Sequence, residues 1–196
     1  MDDFLNQQAK WNARYAQAES GAPPPAAQVL MENQHLLPDK GVALDMACGL
    51  GGNALLLAEK GFETYAWDAS NAAIERLCGF AKSRGLAIQA QVRDVANQPP
   101  AENRYDVIVV SRFLLRPLIS KIIAALKPNG LVFYQTFIRD KPADLGPNNP
   151  DYLLADNELL QLFPGLRILV YREEGQVGYV AQGFRGEAML VGQKSP

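Results

Sequence analysis

Cysteine and histidine are scarce in this chain: Cys48, Cys78 and His35 are the whole supply across 196 residues. The two cysteines have no C-x-x-C spacing and no histidine cluster beside them. A zinc centre or a disulfide framework is therefore not expected, no metal is expected, and a reducing cytoplasmic setting fits best. Excess charge of either sign is missing too. The chain carries 19 basic and 21 acidic residues, for a net charge of -2, so neither nucleic acid nor an acidic membrane is expected as the main partner. No apolar run approaches the ~18 residues that span a bilayer. "FLLRPLISKIIAAL" is interrupted by Arg116 and Lys121. The N-terminal "MDDFLNQQAKW" opens acidic and has no apolar h-region, so it does not read as a signal peptide.

What is present is an alternation of strand-like and helix-like segments in one domain over residues 1–196. Residues 2–18 read as a helix, "GAPPPAA" as a stiff linker, and residues 25–36 as a second helix, so that 1–37 forms a helical lid. The core at 41–139 begins with the strand "GVALDM", the helix "GNALLLAEKG" and the strand "FETYAW". It continues with the helix "SNAAIERLCGFAKSRG", where Ser70 suits an N-cap and Gly85 a C-terminal stop. The strands "LAIQAQV" and "YDVIVV", the largely helical "FLLRPLISKIIAALK", a "PNG" turn and the strand "LVFYQTFI" complete it. Residues 140–155 read as a lid loop, and 156–196 as a short helix capped by Asp156 or Asn157 plus a closing strand pair. Such alternation implies an α/β fold with a mostly parallel sheet and helices on both faces.

In open doubly wound sheets, ligands bind outside the carboxyl ends of the strands. Three such ends carry suitable residues. In "LDMACGLGGN", Gly49 and Gly51 permit a sharp turn and a close approach, and the following helix offers free N–H groups. A loop of this kind can hold a dinucleotide, a phosphate or another adenosine compound, or can be a plain tight connection. Asp68 closes the second strand, where a carboxylate commonly accepts from ribose hydroxyls; a helix cap is the structural alternative. Asp94 follows the third strand, where it can accept from an adenine amine while Val95 supplies an N–H; a loop aspartate is the alternative. "GLGGNA" also fits the nicotinamide-type G-x-G-x-x-G/A pattern. Against that reading stand Asp45 ahead of the loop, Asp94, and the Pro-Asn-Gly turn in "LKPNGLVFY".

Taken together, "LDMACGLGGNALLLAEKGF", "WDAS", "RDV", "YDVIVVSRFL" and "LKPNGLVFYQTF" resemble the class I S-adenosylmethionine-dependent methyltransferases. "WNARYAQ" and "LGPNNPDYLLADNELLQLFPGLRIL" are similar to the tellurite-resistance-type and thiopurine-like branch. The resemblance implies a Rossmann-like, doubly wound, seven-stranded sheet with an antiparallel C-terminal strand. It implies S-adenosylmethionine as cofactor, with Asp45 near its ammonium and Ala47, Cys48, Gly49, Gly51 and Asn53 along the methionine and ribose. It further implies Asp68 on the ribose hydroxyls, Ala69, Asp94 and Val95 on the adenine, and Ser111 near the sulfonium. Trp11, Arg14 and Tyr15 resemble an element that folds over the cofactor. Related loops often read "GEGRN"; here Leu50 and Gly52 remove the side chains that would line it.

Methyl transfer requires alignment more than acid–base help, and no base stands out on the motif loops. That suits a small acceptor that is already nucleophilic, a thiolate or a chalcogen oxyanion such as tellurite or selenite. Arg112, Arg116 and Arg139 are candidates for holding it, with Gln135, Thr136 and Tyr152 as further pocket positions. A cofactor-binding module without turnover and a nicotinamide oxidoreductase are the rival functions. A monomer or a homodimer is equally compatible with the first helix.

Overall fold

The computed structural model describes residues 2–17, 21–142 and 144–196. Its centre is a seven-stranded sheet formed by β1 (Val42–Met46), β2 (Glu63–Asp68), β3 (Ile88–Val92), β4 (Tyr105–Ser111), β5 (Leu126–Phe137), β6 (Arg167–Glu173) and β7 (Glu187–Gln193). The order across the sheet is β3-β2-β1-β4-β5-β7-β6. The first five strands pair in parallel, and β7 runs antiparallel to both β5 and β6. The reversal of order between β1 and β4 creates the crevice where doubly wound sheets take their ligands.

The central strands are apolar without alternation because both faces are covered. Leu44, Met46, Ile108, Val110 and Tyr134 pack on one face, and Ala43, Val107, Val109, Phe133 and Val191 on the other. Burying each large side chain stabilises the fold by roughly 1.5–3 kcal/mol before entropy is counted. The helices α1 (Asp2–Ala16), α2 (Gln28–Glu32), α3 (Gly52–Glu59), α4 (Asn71–Ser83), α5 (Ile119–Ala125) and α6 (Glu158–Leu162) connect and cover the strands. Ser70 caps α4 by accepting from the Ala73 amide at 3.2 Å. Gly85 follows with φ 67°, the left-handed geometry of a helix stop. Among the described residues, no helix is long and apolar enough to cross a membrane.

Several boundaries differ from the sequence expectation. The first helix ends at Ala16, and residue 18, its expected limit, lies outside the described residues. The expected helix over 25–36 is instead α2 followed by a 3-10 turn at Gln34–Leu36, because Asn33 leaves the helical region and folds its amide back onto Val29 O. In "FLLRPL", helical structure begins only at Arg116, as Pro117 favours a first-turn position. The "PNG" turn is embedded within β5. Leu126 pairs with Tyr105 and the ladder resumes at Leu131, so the extra residues bulge around Asn129 at φ 64°. At α6 neither expected side chain caps; Asn157 is left-handed, and Glu158 reaches back to accept from the Ala155 amide at 2.8 Å. Residue 143 of the lid loop also lies outside the described residues.

Candidate functional site

β1 delivers Asp45 into the crevice, fully buried. Its Oδ1 accepts from Asn53 Nδ2 at 3.2 Å and its Oδ2 from the Ala54 amide at 3.0 Å. Burial nevertheless raises its pKa to about 7, against the lowering effect of those two hydrogen bonds. After β1 the backbone turns left-handed at Ala47, Gly49 and Gly51. At Gly51 the glycine is required twice over, since φ is 81° and a Cβ would stand 2.2 Å from Leu77 Cδ1. Cys48 is buried and its thiol pKa is pushed well up by that burial, which suits packing rather than nucleophilic attack.

Asn53 ties three elements together. Its Oδ1 accepts from the Ala27 amide at 2.8 Å, and its Nδ2 donates to Asp45 and to Ser111 Oγ, the latter at 3.3 Å. The linker that carries Ala27 lies close over the start of α3. A Cβ on Gly52 would stand 2.6 Å from both Pro24 O and Pro25 O. The bare loop position that departs from "GEGRN" is thus filled by the proline backbone.

β2 ends in Asp68, also buried. Its Oδ2 accepts from the Gly49 amide at 2.8 Å and its Oδ1 from the Ser70 amide at 2.9 Å. Burial raises its pKa. Against that, the Ala69 amide joins those of Ser70 and Gly49 in favouring the ionised form, and the carboxylate keeps capacity for a further donor. α1 crosses this end of the sheet. Gln8 donates to Ala69 O at 2.9 Å, Asn12 Oδ1 accepts from Ser70 Oγ at 2.7 Å, and Arg76 donates to Tyr15 O at 3.1 Å. The Tyr15 hydroxyl sits 2.8 Å from where a Gly49 Cβ would be, over the glycine loop. Burial and then Asp68 raise its pKa. Trp11 stacks on Tyr15, and the exposed Arg14 lies over Trp11. Gln8 and Asn12, which fasten α1 here, were not singled out in the sequence; no polar motif marks them.

Asp94, at the end of β3, serves its own turn: Oδ1 accepts from the Ala96 and Asn97 amides and Oδ2 from Asn97 Nδ2 at 2.7 Å. Arg93 stacks 3.8 Å above the Trp67 ring and shapes the same loop. Between this loop and α1 lies a cavity of about 500 Å³ lined by Phe4, Leu5, Gln7, Val92, Arg93 and Asp94. Val95 is buried in the main core beside it.

On the other side, Ser111 and Gln135 face each other at the ends of β4 and β5. Gln135 and Thr136 are buried. Gln135 accepts from the Val29 amide at 2.8 Å and donates to Glu187. Arg112 pairs with Glu187 at 2.7 Å and leaves its side chain 67% exposed. Arg116 does not share this edge: it is held by both oxygens of Glu158, at 2.6 and 2.9 Å, and by the carbonyls of Asp151 and Leu153. Tyr152 and Arg139 are exposed on the neighbouring loop. Glu187 is a further residue that sequence reasoning missed, since a glutamate opening an apolar strand reads as a surface position.

The tyrosine, the glycine loop, Asp45, Asn53, Asp68 and Ser111 therefore meet at one crevice. Asp45 and Asp68 are buried there without an ion pair to any cation among the described residues. Buried carboxylates without a counter-charge are costly, and a ligand bearing a cation and a pair of hydroxyls would satisfy both. No cluster of metal-ligating side chains occurs among the described residues.

A family model described as "Methyltransferase domain" matches residues 19–170. The putative methyltransferase YqeM of Bacillus subtilis (strain 168) is 29% identical over 128 residues, 58% of this chain and 49% of that protein. The ubiquinone biosynthesis O-methyltransferase of Rickettsia conorii (strain ATCC VR-613 / Malish 7) is 30% identical over 118 residues, 57% of this chain and 40% of that protein. TehB of Haemophilus influenzae, a probable S-adenosyl-L-methionine-dependent methyltransferase, is 28% identical over 139 residues, 66% of this chain and 45% of that protein. The crystal structure of TehB superposes with a TM-score of 0.69 at 22% identity, covering 94% of this chain and 67% of that one. The chain spans about half the length, or less, of these curated relatives. The TehB superposition establishes the Rossmann-like fold.

Proposed function

Since the chain belongs to the methyltransferase-domain family, we propose that it transfers a methyl group from S-adenosylmethionine to a small-molecule nucleophile, a thiolate or a chalcogen oxyanion such as tellurite or selenite. The observation that carries this reading is the pair of buried carboxylates, Asp45 and Asp68, at adjacent strand ends with no ion pair to a cation among the described residues. Asp45 would take the amino-acid ammonium, and Asp68 the ribose hydroxyls with its remaining acceptor capacity. Gly49, Gly51, Ala47 and Cys48 would form the floor, Tyr15 and Trp11 the cover, and Asn53 and Ser111 would fix Asp45. Ala69, Asp94 and Val95 would border the adenine; Asp94 would do so mainly through the shape of its turn, because its carboxylate is engaged locally.

When bound, S-adenosylmethionine supplies an electrophilic methyl group on a sulfonium, and its transfer to an acceptor lone pair leaves the neutral thioether S-adenosylhomocysteine. The chain's own residues contribute alignment and exclusion of water, with α1 and the proline linker closing the crevice. A hydroxyl acceptor would need a general base. The lone histidine, His35, is exposed in the 3-10 turn after α2, away from the crevice. This favours an acceptor that arrives ionised.

Calorimetric titration with S-adenosylmethionine, S-adenosylhomocysteine and NAD tests the reading. Micromolar binding of the two adenosyl compounds and none of NAD is expected. NAD binding alone, or no binding by folded protein, would overturn it.

A further inference from the structure

We infer that Arg112, held by the buried Glu187, is the specificity-determining residue of the acceptor pocket and selects acceptors that carry an oxyanion group. The inference rests on the methyltransferase reading and narrows its acceptor to nucleophiles that carry an oxyanion group, with the residue that selects them. Three observations support it.

Arg112 takes φ 53° although it is not glycine. Such a left-handed backbone is unfavourable for a long side chain and persists only where surrounding contacts impose it. Here its amide donates to Gln135 O at 2.7 Å, which turns the chain sharply as β4 ends beside Ser111. The guanidinium lies over the Phe137 ring at 5.9 Å, one residue beyond Ser111, whose hydroxyl accepts from Asn53.

Glu187 is 5% exposed, and both its oxygens are engaged. Oε1 accepts from Arg112 Nε at 2.7 Å, and Oε2 accepts from Gln135 Nε2. Gln135 is itself fixed by the Val29 amide at 2.8 Å. The burial of Glu187 and its second hydrogen bond fix the carboxylate, and through Nε the carboxylate fixes where the Arg112 guanidinium stands.

Among the described residues, only Nε of the guanidinium is engaged by a side chain. Among the described residues, the two terminal nitrogens form no ion pair, and 67% of the side chain is open to solvent. Such an edge presents two parallel N–H donors, which match two coplanar oxygens. Arg116, another of the three arginine candidates from the sequence, is committed to Glu158 and to loop carbonyls. Glu187 is thus a positioning residue acting through Arg112.

The oxyanion can be the acceptor centre itself, as in selenite, or a carboxylate remote from a thiol. The test uses the full chain saturated with S-adenosylhomocysteine, so that binding is read without turnover. Selenite, 4-mercaptobenzoate and the neutral thiophenol are titrated onto wild type, Arg112→Gly and Glu187→Gln. Arg112→Gly keeps the left-handed backbone without strain but leaves the buried Glu187 without its cation, so Arg112→Gly/Glu187→Gln, which removes the charge together with its partner, is titrated beside it as the variant that keeps the test readable.

At least one anion is expected to bind wild type saturably, and at least tenfold more weakly to Arg112→Gly. Where Glu187→Gln folds, it should weaken that anion severalfold and leave thiophenol within twofold. Selenite alone binding identifies the acceptor centre as the oxyanion; 4-mercaptobenzoate alone identifies a remote carboxylate. If neither anion binds wild type, or if Arg112→Gly weakens the anions and thiophenol equally, the inference is overturned. If S-adenosylhomocysteine itself fails to bind, the methyltransferase reading fails instead.

Discussion

Asn53 donates its side-chain amide to the fully buried carboxylate of Asp45 at 3.2 Å. This contact lowers the Asp45 pKa but is outweighed by burial, which leaves it at about 7. A folded value above the ordinary carboxylate value stabilises the chain while Asp45 is protonated. That contribution is fully present below about pH 4 and is lost as pH rises through about 7. The ligand-free protein should therefore lose roughly 1 kcal/mol of stability between pH 6 and pH 8, readable as a falling Tm. An ammonium group placed on Asp45 favours its ionised form. Cofactor binding near pH 7 should then release about half a proton, measurable by calorimetry in buffers of different ionisation enthalpy. Release that disappears in Asp45→Asn would place the ammonium on Asp45; release unchanged in that variant would remove Asp45 from the ammonium site.

Gly52 opens α3 beneath the proline linker. Helix propensity alone says that alanine there should stabilise the chain by up to about 1 kcal/mol. Packing says the reverse, because the new Cβ would stand 2.6 Å from two backbone carbonyls, Pro24 O and Pro25 O, that have no flexible end to move. Gly52→Ala should cost roughly 1–3 kcal/mol in urea unfolding. It should also weaken cofactor binding, because Ala27 and Asn53 are displaced with the linker. A stabilised variant would show that the linker lifts away freely.

Asp68 links the glycine loop to the start of α4 through the amides of Gly49 and Ser70. Asp68→Ala should weaken S-adenosylmethionine binding at least tenfold. It should also destabilise the fold by roughly 1–3 kcal/mol, since two buried donors lose their acceptor. The two effects separate in the ligand-induced gain: at a cofactor concentration about 100-fold above the wild-type Kd, wild type gains about 2.7 kcal/mol and a tenfold weaker variant about 1.4 kcal/mol. Unchanged affinity in a folded variant would refute the ribose role.

The parallel core was legible because strands buried on both faces are written as continuous apolar runs, and because Ser70 and Gly85 mark helix ends by chemistry that needs no tertiary partner. Residues 25–36 were not, since Asn33 departs from the helix to reach Val29 O, a choice that apolar spacing does not encode. The glycine loop and the acids at the ends of β1 and β2 were visible as strand-end residues. What their neighbours do with them was not. Asp94 spends its oxygens on its own turn, and Arg116 is drawn to Glu158, 42 residues away. Glu187 faces inward because β7 returns antiparallel beside β5 and sets it opposite Phe137, a register that one strand cannot announce.

Arg116 provides the last test, because its pairing separates stability from selectivity. It joins the start of the segment after β4 to α6 and to the loop around Asp151, with a bidentate contact to a Glu158 whose pKa that contact lowers. Its side chain is 32% exposed and that of Glu158 18% exposed, so the pair is partly shielded from solvent. Arg116→Ala also strips two loop carbonyls, those of Asp151 and Leu153, of their donor. A loss of about 1–2 kcal/mol in equilibrium unfolding is expected, with faster proteolytic cleavage between residues 144 and 155. The ratio of anionic to neutral acceptor binding should stay as in wild type, because Arg112 and Glu187 are untouched. A collapse of that ratio in Arg116→Ala, with Arg112→Gly silent, would transfer the acceptor role from one arginine to the other.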